Sequence, residues 1–369
     1  MYRFFFLLLA VAVFSCESAS NESSDDNFDR SAMLASWADH IIIPAYQHYE
    51  KEMDALVDQS KTFTADANTN NLATLRAQWE KAYLAWQWVE MFEIGKAEAL
   101  YLQSYTNWFP TKTDQIDNNI STGSYNLALA SKRQEQGFPA IDYMINGLGG
   151  TDADILAAYT DATTGAATKK YLTDLTARLQ TLTSEVVADW ENGYRDTFVN
   201  NDGSSATGAV NKVANDYIFY FEKQLRANKI GIPAGVFDTQ GDTYSEAVEA
   251  YFAKDISKVL YEEGLAASET FFNGQYFGGT EKGASFASYL DYIRTLNGGD
   301  DITKMINDQF TKIETTSQPL ANDFADQVET NNTLMLQTYD ELQKNVVYFK
   351  VDMLQALDIS VDYVDADGD

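Results

Sequence analysis

Residues 136–145 read Gln136-Gly137-Phe138-Pro139-Ala140-Ile141-Asp142-Tyr143-Met144-Ile145. A helix that begins at Gly137 accommodates Pro139, because the first turn of a helix does not need the N–H that proline lacks. Asp142 follows three residues later, near the helix N-terminus, where the helix dipole and unpaired amides stabilise a carboxylate. Helix geometry alone therefore accounts for both residues. A functional role for Asp142 requires partners from other parts of the chain.

On both sides of this stretch, apolar residues recur at steps of three and four, which predicts amphipathic α-helices. No segment alternates with period two for long enough to predict a strand. The sequence therefore predicts an all-α protein whose helices pack as two bundles. The clearest examples are the stripes Leu34, Trp37, Ile41, Ala45, Tyr49, Met53, Leu56 and Tyr171, Leu175, Leu179, Leu182, Val186, Trp190.

Turn-forming residues at 200–205 mark the strongest break in the chain and predict the domain boundary. The N-terminal bundle is then expected at residues 30–203 and the C-terminal bundle at residues 204–369. Pro44 is expected to bend the first helix, because it removes one intrahelical hydrogen bond. A second break is expected near Asn331 in the last long helix. Residues 247–252 are expected to open a helix that carries Glu249.

The chain begins with a short segment containing Arg3, followed by an uncharged apolar run at residues 4–14. This run has the length of a signal peptide and is too short to span a bilayer. Cys16 is the only cysteine, and residues 13–16 resemble a bacterial lipobox. We expect residues 1–16 to be a lipoprotein signal and residues 17–29 to be an acidic flexible tether. A plain secretory signal with an incidental cysteine is the alternative.

These segments predict a protein of the cell envelope that is lipid-anchored at Cys16, at the outer membrane and facing the periplasm or the surface. The membrane is then the expected partner. The formal net charge of −29 argues against binding to nucleic acid, because a phosphate backbone would be repelled. The same charge attracts cations, although solubility or a salty medium also explains it. Protein partners and the oligomeric state are not predicted.

Residues 137–142 resemble the Gly-x-His-x-x-Glu signature of the imelysin family. Pro139 stands where that family has histidine, and Asp142 stands where it has glutamate. The tryptophan-rich segment 79–90 and the Lys-Ile-Gly-Ile-Pro turn at 229–233 resemble the same family. The resemblance implies an envelope-associated bacterial protein of two helical bundles with a site in the groove between them. The family is linked to iron uptake, and some members are described as metallopeptidases.

Three acids are candidate ligands of a cation in this groove. Glu90 lies four residues after Trp86, on the edge of the same helical stripe. Asp142 belongs to the signature, and Glu249 resembles a family acid in the second half. All-oxygen ligation by these residues would suit iron or another hard cation. The alternative for Glu90 and Glu249 is an exposed position on a helix.

Hydrolytic chemistry has less support in the sequence. A metal hydrolase uses about three protein ligands, usually with histidine, and an open position for water. Pro139 has no ligand atom, and His40 and His48 are eight residues apart, so they do not share one ion. We therefore expect a non-catalytic binding protein for iron or another cation. The alternatives are a metallopeptidase of the imelysin type and a structural or interaction lipoprotein with a decayed site.

Overall fold

The computed structural model describes residues 26–362, so Cys16, the predicted signal segment, residues 17–25 of the tether and residues 363–369 lie outside the described residues. Residues 26–362 form sixteen α-helices and no strand, and one isolated β-bridge joins Gln275 to Lys282. The predicted all-α fold class is confirmed. In this part of the chain, no helix has both the length and the apolar character needed to cross a membrane.

The N-terminal half is organised around three long helices, with α2 packed between α3 and α9 and the short helices α7 and α8 packed on α9. The helices of this half are α1 Arg30–Trp37, α2 Ile43–Ala65, α3 Thr69–Gln87, α4 Lys96–Leu100, α5 Leu102–Thr106, α6 Thr113–Thr122, α7 Gly137–Asp142, α8 Asp152–Thr160, α9 Gly165–Asp189 and α10 Arg195–Val199.

In the C-terminal half, the long helix α15 packs on α14 and on a π-helical segment, Tyr220–Gly231, that continues α11. The break predicted near Asn331 is confirmed, because this residue has non-helical backbone angles (φ −154°, ψ 70°) inside α15. The helices of this half are α11 Ala209–Phe219, α12 Ser257–Phe272, α13 Phe286–Asn297, α14 Ile302–Ser317, α15 Phe324–Val347 and α16 Leu354–Ala356.

Pro44 shapes the first helical rod by freeing a carbonyl group. Without an N–H on Pro44, the carbonyl of His40 loses its α-helical donor four residues later. That carbonyl accepts the N–H of Phe277 at 2.9 Å instead, which attaches the loop after α12 to the first rod. The irregularity expected at Pro44 is present as a π-helical segment, Ala38–Ile42, between α1 and α2.

Buried apolar side chains form one continuous core through both halves. Trp37 of α1 packs against Phe271 and Phe286, with ring centroids 5.1 and 4.7 Å away. Helix α3 also packs on α12, so the two halves share an extensive interface. The chain around residues 200–205 is exposed, as a boundary requires. The division into bundles 30–203 and 204–369 stays a prediction, and α1 contacts helices on both sides of it.

The prediction that a helix begins within residues 247–252 is wrong. Ala247 ends a short 3-10 segment, Ser245–Ala247, and residues 248–252 form a bend and turns with positive φ at Ala250 (57°). Lys254 also has positive φ (65°), and α12 begins only at Ser257. The Asp142 carboxylate accepts the N–H of Phe252 at 2.9 Å, so a tertiary hydrogen bond replaces a helical one. Glu249 therefore lies in an irregular segment, which we call the 248–255 turn segment. The backbone of this segment can follow the surface of the other half of the protein.

Candidate ligand-binding site

Glu90 lies in the turn directly after α3, where the chain leaves the tryptophan-rich helix. Glu90 is 4% exposed, so the alternative of a solvated position is wrong. Oε1 accepts a hydrogen bond from Nδ2 of Asn107 at 3.2 Å, whereas Oε2 has no hydrogen-bond partner. Burial raises the pKa of Glu90 to about 7, although the ammonium of Lys229 acts in the opposite direction. Glu90 is thus a buried carboxyl group with spare accepting capacity.

Glu249 comes from the opposite half of the chain and meets Glu90 in the same buried space. It is 2% exposed, and its Oε1 accepts a hydrogen bond from Nδ2 of Asn107 at 2.8 Å. The same amide therefore joins the two carboxylates. Gln87 also approaches Oε1 of Glu249, at 3.4 Å. The structure brings together two of the three predicted acids, although they lie far apart in sequence.

Lys229 fills the space between these carboxylates. Its Nζ donates to Oε2 of Glu249 at 2.5 Å and to Oε1 of Gln87 at 2.9 Å, and it lies 4.0 Å from Oε2 of Glu90. The lysine is 2% exposed and belongs to the π-helical segment Tyr220–Gly231. A protein ammonium group thus supplies the countercharge that the sequence had assigned to a bound cation.

Asp142 does not join this group. It is buried, and it accepts hydrogen bonds from the N–H of Phe252 and from Nδ2 of Asn146, both at 2.9 Å. Burial raises the pKa of Asp142 to about 7. Within residues 26–362, no group of three His, Cys, Asp or Glu side chains is arranged to hold a metal ion. The predicted set of Glu90, Asp142 and Glu249 is corrected to one carboxylate pair and one separate anchor.

The signature residues Gly137 and Pro139 have structural roles at the start of α7. Gly137 has φ 83°, and a Cβ atom there would lie 2.3 Å from the carbonyl oxygen of Thr106. Pro139 occupies the first helical turn, as predicted, and lines a cavity of about 440 Å³ together with Asp142 and Tyr251. This cavity lies beside the 248–255 turn segment.

A larger cleft, of about 660 Å³, opens above the buried carboxylate pair, with Asn107 in its lining. We call it the acidic cleft, because four carboxylates line it: Glu93, Glu98, Asp216 and Asp362. None of the described residues in its lining is a lysine or an arginine. A smaller cavity of about 30 Å³, which is enough for a water molecule, is lined by Glu90 as well as by Glu93 and Asp216.

The carboxylates of the acidic cleft disfavour each other's ionised forms. Burial, together with the charges of Glu93, Glu98 and Asp362, raises the pKa of Asp216 to about 8, and Lys212 only partly offsets this. Burial likewise raises the pKa of Glu93 to about 7. Inside residues 26–362, the Asp216 side chain forms neither an ion pair nor a hydrogen bond, so its charge depends on solvent or a ligand.

Apolar side chains form the rim of the acidic cleft. Tyr101 is 59% exposed, and Trp108, Phe219 and Ile232 are 38–39% exposed. These are four of the twelve large apolar side chains that residues 26–362 leave exposed. The guanidinium of Arg133 lies over the rings of Tyr101 and Trp108, at 5.6 and 5.8 Å from their centroids. The rim therefore already accommodates one organic cation from the protein itself.

The two histidines lie on a different face. His40 stacks on Tyr276 with ring centroids 4.2 Å apart, and His48 lies 5.6 Å from the ring of Phe277. His48 and Phe277 line a second groove of about 580 Å³, together with Trp88 and Glu263. Neither histidine lines the acidic cleft or bonds to the carboxylate pair.

Sequence reasoning missed most of the polar residues around the two acids. Gln87 and Lys229 are polar residues inside apolar helical patterns, and this is the signal that could have marked them as buried partners. Asn107 lies in the turn-forming stretch Asn107-Trp108-Phe109-Pro110, which carries no signal for a buried polar role. Glu93 and Asp216 carried no distinguishing pattern, because an acid on a helix or turn is ordinarily solvated.

Comparisons with known proteins agree with this architecture. A family model described as imelysin matches residues 42–347. An imelysin-like protein from Psychrobacter arcticum 273-4 has a similar solved structure, with a TM-score of 0.68, 18% identity, and coverage of 91% of this chain and 97% of the other. A protein named as an iron-regulated protein A precursor, from Parabacteroides distasonis ATCC 8503, gives a TM-score of 0.68, 17% identity, and coverage of 87% and 94%. No curated protein matches the chain.

Proposed function

Since the chain belongs to the imelysin family, we propose that it is a non-catalytic binding protein of the cell envelope that takes a positively charged ligand into the acidic cleft. Iron or an iron complex is the cargo that this proposal favours. The name of the similar protein from Parabacteroides distasonis, which refers to iron regulation, supports an iron-related role. The predicted lipid anchor at Cys16 supports an envelope location at the outer membrane.

The observation that carries this proposal is geometric: four carboxylates line one cleft whose described lining contains no lysine or arginine, and burial and mutual repulsion raise the pKa of one of them, Asp216, to about 8. A carboxyl group whose pKa is raised this far is unfavourable in its ionised form at neutral pH. A cation in the cleft relieves the repulsion between the carboxylates, so part of the binding free energy comes from removing an unfavourable interaction. Sites that are strained in this way are typical of function rather than of stability.

The chemistry of the buried pair supports a non-catalytic role. A hydrolytic metal site needs an open coordination position next to about three protein ligands. Here Lys229 already pairs with Glu249 and lies 4.0 Å from Glu90, and Pro139 offers no ligand atom where the family signature has histidine. We therefore expect no chelator-sensitive hydrolysis of casein or insulin by the purified full chain. Hydrolysis that disappears with a chelator would favour the metallopeptidase alternative.

Calorimetric titration of the full chain in detergent at pH 8 tests the binding proposal. The probes are Fe²⁺ under anaerobic conditions and hexaamminecobalt(III), a cation that keeps its own ligands and therefore reports electrostatic binding alone. We expect the combined variant Glu93→Gln/Asp216→Asn to bind the cationic probes at least about tenfold more weakly. Asp202→Asn, at an exposed acid in the loop between α10 and α11, is the matched control. Equal binding by all three proteins contradicts the proposal.

The proposed envelope location has its own test. Metabolic labelling with radioactive palmitate is expected to label the wild-type chain in bacterial cells, and Cys16→Ser is expected to abolish the label. A labelled Cys16→Ser variant contradicts the anchor at this cysteine. An unlabelled wild-type chain that is still secreted supports the alternative of a plain signal peptide.

A further inference from the structure

We propose that the group recognised in the acidic cleft is an alkylammonium or guanidinium attached to a partly apolar organic molecule, and that a bare metal ion is not its ligand. This inference rests on the proposed function, since it specifies the chemical class of the positively charged ligand. The group can belong to a free amine or to the organic part of an iron complex. The cleft recognises both sources through the same ammonium.

The size and composition of the cleft favour an organic ligand. Its volume of about 660 Å³ is in the range that small-molecule sites occupy and is far larger than a metal ion requires. Its carboxylates are spread along the lining, and the described residues 26–362 contain no three-ligand group suited to a metal. Acids that are separated in this way can each accept N–H bonds from one extended cation.

The apolar rim provides the second part of the recognition. Trp108, Phe219 and Ile232 line the cleft and remain partly exposed, although such side chains are usually buried. Aromatic faces attract organic cations, and Arg133 shows this contact with Trp108 within the protein. A hydrated metal ion gains little from these surfaces. An alkyl chain that carries the charge covers them and is removed from water.

An unpaired buried oxygen marks the inner end of the site. Oε2 of Glu90 forms no hydrogen bond of normal geometry, although the Trp86 side chain also favours the ionised carboxylate, and Glu90 lines the small cavity that it shares with Glu93 and Asp216. The surrounding charges are Lys229 and Glu249 on the inner side, Arg133 near Glu93, and Lys212, Glu98 and Asp362 near Asp216. The inner acids therefore retain spare acceptors that a cationic N–H donor, or water held beneath it, can satisfy.

The test uses a matched pair of iron complexes. Ferrioxamine B carries a free alkylammonium arm on a neutral iron core, and its N-acetylated form lacks only that charge. We expect calorimetry with the full chain to show binding of ferrioxamine B, and at least about tenfold weaker binding of the acetylated complex. Iron-free desferrioxamine B and spermidine distinguish the sources: if they bind equally well, the ammonium is recognised without iron.

Two variants separate recognition from a merely structural role. Asp216→Asn is expected to weaken ferrioxamine B binding roughly ten- to a hundredfold and, because it removes charge repulsion, to raise the melting temperature of the free protein. Trp108→Leu is expected to weaken ferrioxamine B binding about three- to tenfold. Binding of hexaamminecobalt(III) should stay unchanged in this variant, since that probe has no apolar body. Asp202→Asn is the control for both.

The outcomes distinguish this inference from the proposed function. Equal binding of free and acetylated ferrioxamine B overturns the inference. Binding of Fe²⁺ or hexaamminecobalt(III) that is as tight as that of ferrioxamine B also overturns it, while a cation-binding cleft stands in that case. Absence of binding by any cation overturns both. Selective binding of ferrioxamine B or spermidine, lost in Asp216→Asn but not in Asp202→Asn, supports both.

Discussion

The ammonium of Lys229 and the carboxylate of Glu249 form a buried ion pair, with Nζ 2.5 Å from Oε2. Lys229 belongs to the π-helical segment Tyr220–Gly231, and Glu249 belongs to the 248–255 turn segment. Gln87, at the end of α3, accepts a second hydrogen bond from the same Nζ at 2.9 Å. The ion pair therefore attaches the turn segment both to its own half and to the tryptophan-rich helix of the other half.

Replacing Lys229 with Met should strongly destabilise the protein at alkaline pH. The substitution keeps the apolar volume but leaves Glu249 and Glu90 buried without a countercharge, and breaking a buried pair in this way costs about 3–5 kcal/mol. At pH 5 the cost should be smaller, because burial raises the pKa of Glu90 to about 7 and this carboxyl group is then protonated. Urea unfolding followed by circular dichroism at pH 5 and pH 8 measures both values.

The control for this prediction is Lys304→Met, which removes an exposed ion pair with Asp308 on one face of α14. Exposed pairs contribute little, so its free energy of unfolding should change by less than about 1 kcal/mol at either pH. A double variant, Lys229→Met with Glu249→Gln, should recover part of the lost stability. An equal loss for Lys229→Met at both pH values would contradict the role of the ammonium as countercharge.

Asp142 should act as an anchor for the 248–255 turn segment. Asp142→Ala removes the acceptor of the Phe252 N–H, and leaving such a donor unsatisfied costs about 1–3 kcal/mol. Hydrogen exchange should accelerate in residues 248–255, while the core of α9 keeps its protection. Asp142→Asn retains one oxygen acceptor and should have the smaller effect. Unchanged exchange in the turn segment would show that the segment is held by other contacts.

A matched control exists for the Asp142 substitution as well. Asp152 pairs with Arg76 at 2.8 Å but is solvent-accessible, so Asp152→Ala removes a carboxylate from the same region without exposing a buried donor. We expect a change in the free energy of unfolding of less than about 1 kcal/mol. Faster exchange of residues 248–255 in this variant would indicate a general loosening rather than loss of the Asp142 anchor.

The sequence predicts the helices well, because their signal is local. The spacing of Leu34, Trp37 and Ile41 records a buried face directly, and all three are buried. The break at Asn331 was also predictable, since asparagine competes for backbone hydrogen bonds. The 248–255 turn segment was not, because its conformation depends on Asp142, a residue more than a hundred positions away. Local helix propensity contains no information about such a long-range contact.

The site was only half predictable for the same reason. Periodicity tells which face of a helix is buried, and it placed Glu90 at the edge of a buried face. It does not tell which residues of different helices meet, so the partnership of Glu90 with Lys229 required coordinates. The acidic cleft was even harder to predict from the sequence, because Glu93 and Asp216 come from opposite halves of the chain. Their raised pKa values result from burial and from three-dimensional proximity to other acids.

The signature glycine should tolerate no side chain. Gly137→Ala combines an unfavourable positive φ with a contact of 2.3 Å between Cβ and the carbonyl oxygen of Thr106. Strain and overpacking together should lower the free energy of unfolding by roughly 2–6 kcal/mol. Gly123→Ala is the matched control, because Gly123 also has positive φ (64°) but has no atom within 4 Å of the added Cβ. Thermal unfolding of both variants measures the difference.

The control should show the cost of the backbone conformation alone, about 1–2 kcal/mol. The excess in Gly137→Ala then reports the contact with Thr106, which joins the end of α5 to the start of α7. Equal costs at the two glycines would show that the chain near Thr106 can move away. That result would also weaken the role of Gly137 in positioning Asp142.

The protein should be more stable at pH 5 than at pH 8. Burial raises the pKa of Glu90, Glu93 and Asp142 to about 7 and that of Asp216 to about 8. A group whose pKa is higher in the folded state binds its proton more tightly there, so its contribution is full below the unfolded pKa, about 4, and is lost as the pH rises through 7 to 8. Carboxylates with lowered pKa, such as Asp39, titrate below this window.

Repulsion among surface carboxylates also lowers the free energy of unfolding as the pH rises, because the net charge is −29. The measurement must therefore separate this surface repulsion from the effect of the four acids. Salt at about 1 M screens exposed charges strongly but buried ones much less. We therefore expect the decline in free energy of unfolding between pH 5 and pH 8 to persist at high salt. It should become shallower in Asp216→Asn but not in Asp202→Asn. Stability that rises from pH 5 to pH 8, or a decline that salt abolishes, would contradict the assignment of this decline to Glu90, Glu93, Asp142 and Asp216.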